Sequence, residues 1–270
     1  MCLHVGITAA FRLQYMPVLA NWYLGEFEKK GLDRPMRIAT VGWDNAYGRG
    51  GLEATADWAQ KQEGVEFVAA LWFSPMTMDY TSELMVLKEK EVDAIAHIGN
   101  GGFLCRDAAK VGLPEDVALI CCPGSICTVA HKALAGPEMS RAFSVHCYWE
   151  WGEDKPFIKM ARETQMSYHG DVLETVLYIG GWSATSVLCE GARRAVGNVG
   201  YENLTGEAIK EGLDSIKDWD NGSGGPVSFG DYPKDCVAQE RFRIVSFDMG
   251  TEQWVPIRDW IQSPGIYELE

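Results

Sequence analysis

The feature that most constrains the fold is a regular alternation of short apolar runs and longer amphipathic segments between residues 16 and 147. Apolar residues spaced three and four apart from Met16 predict a first helix, and further helical segments separate the runs. The runs are predicted strands: Met36–Trp43, Val65–Phe73, Ala94–Gly99, Val117–Cys122 and Ala142–Cys147. Strands that alternate with helices predict a parallel sheet with right-handed crossovers and helices on both faces.

The pattern changes after Tyr148. Three helices are predicted there: Asp154–Gln165, Asp171–Val196 and Thr205–Ile216. A loop at residues 221–226 is followed by three short predicted strands: Val227–Phe229, Phe242–Phe247 and Trp254–Val255. The strands are too few to form a domain, so we expect them to pack on the preceding segments. After the fourth run, a helix is predicted at Ser125–Leu134.

Charge and hydropathy exclude several classes of partner. The formal net charge of −14 argues against a nucleic acid or an anionic membrane surface as partner. No run approaches the roughly 18 apolar residues of a transmembrane helix. The first 17 residues lack the pattern of a secretory signal peptide. Taken alone, these features predict a soluble cytoplasmic protein.

The eight cysteines include no CxxC pair. Cys127 and His131 have a spacing that would place both on one helix face, which is one arrangement that zinc can use. The alternative is that the cysteines are buried as small apolar residues, as Cys121 and Cys122 in a predicted strand indicate. We favour buried thiols, and we predict neither a metal nor a cofactor.

Motifs that carry chemistry are missing from the sequence. There is no P-loop, G-x-G-x-x-G, G-x-S-x-G or H-E-x-x-H pattern. His97 and His146 lie in predicted strands, where a hydrogen-bonded core histidine is expected. Glu150 and Glu153 are expected in a solvated acidic loop at a helix start. Because no nucleophile, base and orienting group come together, the sequence predicts a protein that is not an enzyme.

Aromatic side chains cluster where the strands end. Trp43, Tyr47, Phe103 and Tyr148 lie at or after predicted strand ends. Ligands of parallel α/β sheets bind at the carboxyl ends of the strands. The pattern therefore predicts a concave apolar site for a small molecule at that edge.

Residues 36–102 resemble a known family. The segments of this chain that carry the resemblance are W-D-N-A-Y-G-R-G after the first strand, DYTSEL at a helix start and EVDAIAHIG, and AAKVGL follows shortly after residue 102. Farther along, GGWSATSVLCEGARRA, LTGEAIKEGLDSI and GPVSFG occur in the same order as in that family. The chain resembles the type 1 periplasmic solute-binding proteins of branched-chain amino acid (Leu/Ile/Val) ABC transporters, from about Phe11 to Ile261.

The resemblance implies an α/β, two-lobed type 1 periplasmic-binding-protein fold with parallel flavodoxin-like sheets, one lobe being incomplete in this chain. Residues 12–145 would form a complete lobe of the C-terminal type, joined by the tail strands of residues 227–270. Residues 146–226 would be the helical return segment of the incomplete N-terminal-type lobe. The missing first part should carry the signal peptide. The implied location is periplasmic, with a cytoplasmic location as the alternative.

The resemblance also implies ligand-binding residues. Tyr47 matches the family tyrosine that packs against the ligand, and Asn100, Gly101 and Phe103 match the loop after the third strand. Ser125 lies in the loop where amino-acid-binding members carry a glutamate for the ligand ammonium, and this chain has no carboxylate there. With Trp43 and Tyr148, these residues are the predicted site. An amino-acid-like compound, an amide, or an aromatic or aliphatic carboxylate is the expected ligand class.

The implied function is capture of a small ligand by hinge closure of two lobes for the permease of an ABC uptake transporter. One alternative is a ligand-sensing regulatory domain of the same fold, and an enzyme is a weaker alternative. The helix stripe from Leu173 to Leu188 should pack on a sheet that this chain lacks. We therefore expect self-association, or the need for a complementary fragment that supplies the N-terminal lobe.

Overall fold

The computed structural model describes residues 9–126, 129–172, 174–229 and 241–262. The chain divides into two compact units. Of the described residues, the sheet unit contains those within 12–146 and 243–259, and the helical unit contains those within 147–242 together with 9–11 and 260–262. The assignment of residues 12–145 and 146–226 to a complete and an incomplete lobe stays a prediction. No described helix combines the length and hydropathy that a membrane span needs.

One seven-stranded sheet organises the sheet unit, in the order β2-β1-β3-β4-β5-β6-β7. The strands are β1 Met36–Trp43, β2 Val65–Phe73, β3 Ala94–Ile98, β4 Ala118–Cys121, β5 Ala142–His146, β6 Arg241–Asp248 and β7 Gln253–Gln262. The first five strands are parallel, and β6 pairs antiparallel with β5. The five predicted strands and their parallel arrangement are confirmed, with ends that differ by one residue at most.

Helices fill the intervals between the strands and cover the sheet. Those before β5 are α1 Ala9–Glu28, α2 Ala46–Lys61, α3 Thr81–Glu89, α4 Gly101–Val111, α5 Pro123–Ile126 and α6 Val129–Ala135. Every residue of β3 and β4 is buried, because the two strands lie inside the sheet with helices on both faces. The described residues of α5 and α6 agree with the helix predicted at Ser125–Leu134, and Cys127, which lies between them, is outside the described residues.

The helical unit contains α7 Pro156–His169, α8 Val176–Val199 and α9 Gly206–Asp214. The predicted start of α8 at Asp171 is wrong by five residues, since Thr175 caps the helix by accepting a hydrogen bond from Leu177 N–H. The predicted strand Val227–Phe229 is also wrong, because Val227 forms a single bridge with Trp219.

Two further expectations need correction. Strand β7 extends well beyond the predicted Trp254–Val255 because it lies beside β6 in the sheet. Glu150 is buried rather than solvated, and the Glu153 carboxylate accepts a hydrogen bond from its backbone N–H at 2.7 Å. The length of β7 was missed because it depends on a tertiary contact with β6, which the local pattern does not show.

Helices α8 and α9 pack closely around a small core formed by Val187, Leu213, Ile216 and Val227. The predicted apolar stripe of α8 is divided. Val187 is fully buried in this core, whereas Leu177 and Leu188 each remain 45% exposed. The side chain of Leu173 lies outside the described residues.

The contact between these helices depends on Gly212. A Cβ atom at this position would lie 2.2 Å from the carbonyl oxygen of Gly191. We expect Gly212→Ala to lower the free energy of unfolding by about 1–3 kcal/mol, since the backbones must move apart. Urea unfolding measures the change. Gly206→Ala in the first turn of α9 is the matched control, because nothing lies within 4 Å of its Cβ position. Equal effects of the two substitutions would contradict the close contact.

Candidate functional site

The strand order of the sheet reverses between β1 and β3, because the chain moves outward from β1 to β2 and then returns to β3. The carboxyl ends of these neighbouring strands lead into α2 and α4, whose N-termini therefore begin at the same edge of the sheet. In open α/β sheets, ligands bind at this reversal point. We call this part of the molecule the carboxyl edge and define it by residues 43–48, 99–103 and 122–125.

The turn from β1 into α2 explains the W-D-N-A-Y-G motif. The side chain of Asn45 caps α2 by accepting a hydrogen bond from Gly48 N–H at 2.8 Å. A Cβ atom at Gly48 would lie 2.1 Å from the carbonyl oxygen of Trp43, so only glycine allows this close approach. The motif thus places Tyr47 in the first turn of α2, directly beside the end of β1.

Trp43 and Tyr47 form an aromatic pair at the carboxyl edge. Their ring centroids lie 6.1 Å apart, and both side chains are half-buried. The tyrosine hydroxyl lies 3.6 Å from the Cys122 thiol, at the end of β4. The pair therefore offers an apolar surface, and the tyrosine hydroxyl contacts the Cys122 thiol.

The turn from β3 into α4 holds the second group of predicted residues. Asn100 caps α4, its side-chain oxygen accepting a hydrogen bond from Phe103 N–H at 3.1 Å. A Cβ atom at Gly101 would lie 2.7 Å from the carbonyl oxygen of Ser125, which requires glycine there. The Phe103 ring is half-buried and contacts Tyr80 edge-on, with 6.0 Å between centroids.

A buried polar layer supports this turn from below. The Tyr80 hydroxyl accepts a hydrogen bond from Asn100 N–H at 3.2 Å, and its backbone N–H donates to the buried carboxylate of Asp107 at 2.8 Å. Burial raises the pKa of Tyr80. His97 is fully buried beside it and donates from Nδ1 to the Val41 carbonyl at 2.9 Å. The expectation of a hydrogen-bonded core histidine is confirmed at His97.

Burial also determines the charge of His97. Removal from water lowers its pKa to about 4, although the carbonyl of Val41 favours the protonated ring. The imidazole is therefore neutral at pH 7, with its proton on the nitrogen that faces Val41. Tyr80 and His97 thus form an uncharged, hydrogen-bonded layer beneath the carboxyl edge.

Ser125 connects the loop after β4 to the loop after β3. Its hydroxyl accepts a hydrogen bond from Gly99 N–H at 3.2 Å, and the residue is 1% exposed. The structure therefore shows an internal role for this side chain, and its contact with a ligand stays a prediction.

Six of the seven predicted site residues lie together at the carboxyl edge: Trp43, Tyr47, Asn100, Gly101, Phe103 and Ser125. The seventh, Tyr148, belongs to the helical unit, where its buried ring lies against Gly180. Burial raises its pKa well above the ordinary value. Ligand contact by these seven residues stays a prediction.

Cys122 and Tyr80 were missed by the sequence analysis. Cys122 looks like part of a buried strand, and Tyr80 looks like one position of a helix stripe. Their positions at the end of a predicted strand and at the start of a predicted helix were the available signal.

Two carboxylates near this edge form salt bridges with basic side chains. Asp44 pairs with Arg49 at 2.7 Å, and Asp79 pairs with Lys110 at 2.9 Å. Both aspartates are exposed. Within the described ranges, no three His, Cys, Asp or Glu side chains come close enough to hold a metal ion.

The family model described as "Periplasmic binding protein" matches residues 9–252. The chain belongs to this family. Solved structures of type 1 periplasmic binding proteins from ABC transporters share its fold. A search of curated proteins gave no match.

Three solved structures illustrate the likeness of this periplasmic binding protein to others. A branched-chain amino acid ABC transporter protein from Thermus thermophilus with bound valine has a TM-score of 0.76 and 19% identity, over 93% of this chain and 65% of that one. A fatty acid ABC transporter substrate-binding protein from Thermomonospora curvata has a TM-score of 0.74 and 22% identity, over 93% and 63%. An ABC transporter solute-binding protein from R. palustris in complex with benzoate has a TM-score of 0.69 and 16% identity, over 93% and 66%.

The chain thus spans slightly less than two thirds of the length of the first structures that it matches. The likeness establishes the type 1 periplasmic-binding-protein fold. The ligands named for these neighbours differ in chemistry, from an α-amino acid to an aromatic acid.

Proposed function

We propose that this chain is the solute-binding component of an ABC uptake transporter, acting in the periplasm. It captures a small ligand at the carboxyl edge by hinge closure of two lobes, and the permease then collects the ligand. The chain performs no chemistry on the ligand. The observation that carries the proposal is the Trp43–Tyr47 pair beside the capped start of α4, at the reversal point of a sheet in a periplasmic binding protein.

The ligand class that we propose is a neutral amide or an aromatic or aliphatic carboxylate. No carboxylate stands in the Pro123-Gly124-Ser125 loop, and Asp44 and Asp79 are paired with cations. A buried ligand ammonium without a counter-charge would be costly. The aromatic pair, in contrast, suits an apolar body.

A thermal-shift panel of matched compounds tests both parts of the proposal. Each α-amino acid is compared with the carboxylate that lacks only its amino group: valine with 3-methylbutanoate, and phenylalanine with 3-phenylpropanoate. Benzoate is compared with benzamide. Specific binding stabilises a protein by about 2.7 kcal/mol at a hundredfold excess over Kd, which is a readily measured shift.

The proposal predicts a shift with one of the carboxylates or amides and a smaller shift with its amino-acid partner. A shift with α-amino acids alone would keep solute binding and overturn the ligand class. The absence of a shift with every member would contradict the proposed function for this chain.

We also propose that the chain self-associates through the outer face of α8, formed by Leu177, Leu188 and Val196. These side chains are exposed by 45%, 45% and 36% and recur on one side of the helix. Exposed apolar surface of this kind favours association. The alternative occupant is a fragment that supplies the N-terminal lobe.

Sedimentation velocity tests the association. We expect the chain to form dimers or larger species, and we expect Leu177→Lys with Leu188→Lys to shift it towards monomer. Met76→Lys is the matched control, since Met76 is an 85% exposed apolar side chain on the sheet unit. A monodisperse, cooperatively folding monomer of the unsubstituted chain would refute the proposal.

A further inference from the structure

Cys122 occupies a central position at the carboxyl edge. It follows directly after the last residue of β4, Cys121, and is 1% exposed. Its backbone N–H donates to the carbonyl oxygen of His97 at 3.2 Å, and its own carbonyl accepts a hydrogen bond from Ser125 N–H at 2.8 Å. The residue is therefore fixed both to the end of β3 and to the loop that follows β4.

The side chain of Cys122 reaches a third segment. Its Sγ atom lies 3.6 Å from the hydroxyl oxygen of Tyr47, in the first turn of α2. Tyr47 also contacts Trp43, and the centroids of the two rings lie 6.1 Å apart. The phenol ring is thus held by a ring contact and by a polar contact at its hydroxyl.

A buried side chain with these contacts limits the conformations of Tyr47. A half-buried tyrosine at a helix start has several accessible rotamers, and a contact at the hydroxyl selects one of them. Because Cys122 is itself fixed by two backbone hydrogen bonds, it transmits the geometry of β3 and β4 to the ring.

We propose that Cys122 is a positioning residue that sets the orientation of the Tyr47 ring and thereby the ligand specificity of the carboxyl edge. The inference rests on the proposed function, because it takes Tyr47 as a ligand contact. Its chemical basis is a hydrogen bond between thiol and phenol, in which either group can donate. Serine keeps a hydrogen-bond donor and acceptor at this position, and alanine removes both.

Substitution at Cys122 with a paired control tests the role. We expect Cys122→Ala to weaken binding of the best compound in the panel by about fivefold to tenfold, as the loss of one hydrogen bond predicts. Cys122→Ser should restore most of the affinity. Cys121→Ala is the control, since Cys121 is equally buried but packs in the core of the sheet unit.

A second measurement does not depend on any ligand. The protein is prepared with 3-fluorotyrosine, and the fluorine resonance of Tyr47 is identified by its loss in Tyr47→Phe. Cys122→Ala should shift or broaden this resonance, Cys122→Ser should return it towards its original position, and Cys121→Ala should leave it unchanged.

The outcomes separate the two proposals. An unchanged Tyr47 resonance in Cys122→Ala overturns the positioning role, whether or not a ligand binds. A changed resonance with unchanged affinities overturns the specificity role. If no panel compound binds the unsubstituted protein, the proposed function fails, and the fluorine resonance still decides whether Cys122 orients Tyr47.

Discussion

Replacing Tyr47 by alanine should weaken ligand binding by at least about thirtyfold, the effect of truncating an aromatic anchor worth about 2 kcal/mol. Tyr47 lies at the reversal point of the sheet, beside Trp43, and its ring is half-buried rather than part of the core. Its removal takes away apolar contact area without opening a large internal cavity. Isothermal titration with the best compound from the panel measures the change.

Two variants control this result. Tyr47→Phe keeps the ring and removes the hydroxyl that contacts Cys122, so it should lose less affinity than alanine. Tyr201→Ala removes a tyrosine that is 76% exposed in the helical unit, and it should bind as the unsubstituted protein does. Wild-type affinity in Tyr47→Ala would remove this residue from the site.

Acidification should destabilise the protein through His97. Burial lowers the pKa of His97 to about 4, whereas a histidine in the unfolded chain titrates near 6.5. As the pH falls below 6.5, the unfolded chain takes up the proton first. The stability contributed by the neutral histidine is therefore complete above pH 6.5 and is lost as the pH falls towards 4. The full loss amounts to about 3 kcal/mol.

Urea unfolding of His97→Gln and the unsubstituted protein between pH 7 and pH 4 measures this contribution. The variant should start from a lower stability at pH 7 and lose about 3 kcal/mol less over the interval. His131, whose pKa is also lowered by burial, keeps some acid dependence in both proteins. His169→Gln, at an exposed position, should follow the unsubstituted protein. Parallel curves for His97→Gln and the unsubstituted protein would contradict the buried neutral histidine.

The sheet was predictable because its signal is local. Runs such as Met36–Trp43 and Val65–Phe73 have the length and composition of strands, and both coincide with β1 and β2. The helix starts were less predictable. The start of α8 depends on the Thr175 cap, and nothing in the preceding residues separates a helical turn from an irregular one.

The tail shows where local patterns are insufficient. Among the described residues, Val227–Phe229 pairs through a single bridge between Val227 and Trp219, whereas β7 is extended because β6 lies beside it. Neither pairing partner can be read from a window of neighbouring residues.

For the site, the order of strands and helices predicted which residues lie at the carboxyl edge, but it did not predict the hydrogen bonds among them. Strand ends predicted that residues after β1, β3 and β4 meet, and the structure brings Tyr47, Asn100 and Ser125 to one edge. Which of their polar groups are used internally could not be predicted, because the hydrogen bond between Gly99 and Ser125 joins segments 26 residues apart. The contact between Tyr47 and Cys122 joins residues 75 apart.

Hydrogen exchange with and without the best compound shows where on this chain the ligand binds. We expect slower amide exchange in the segments that form the carboxyl edge, residues 43–48, 99–103 and 122–125, when the compound is bound. Peptides from the far ends of α2 and α4 should exchange as before. Protection confined to other segments, or binding without any protection at this edge, would contradict ligand binding at the carboxyl edge.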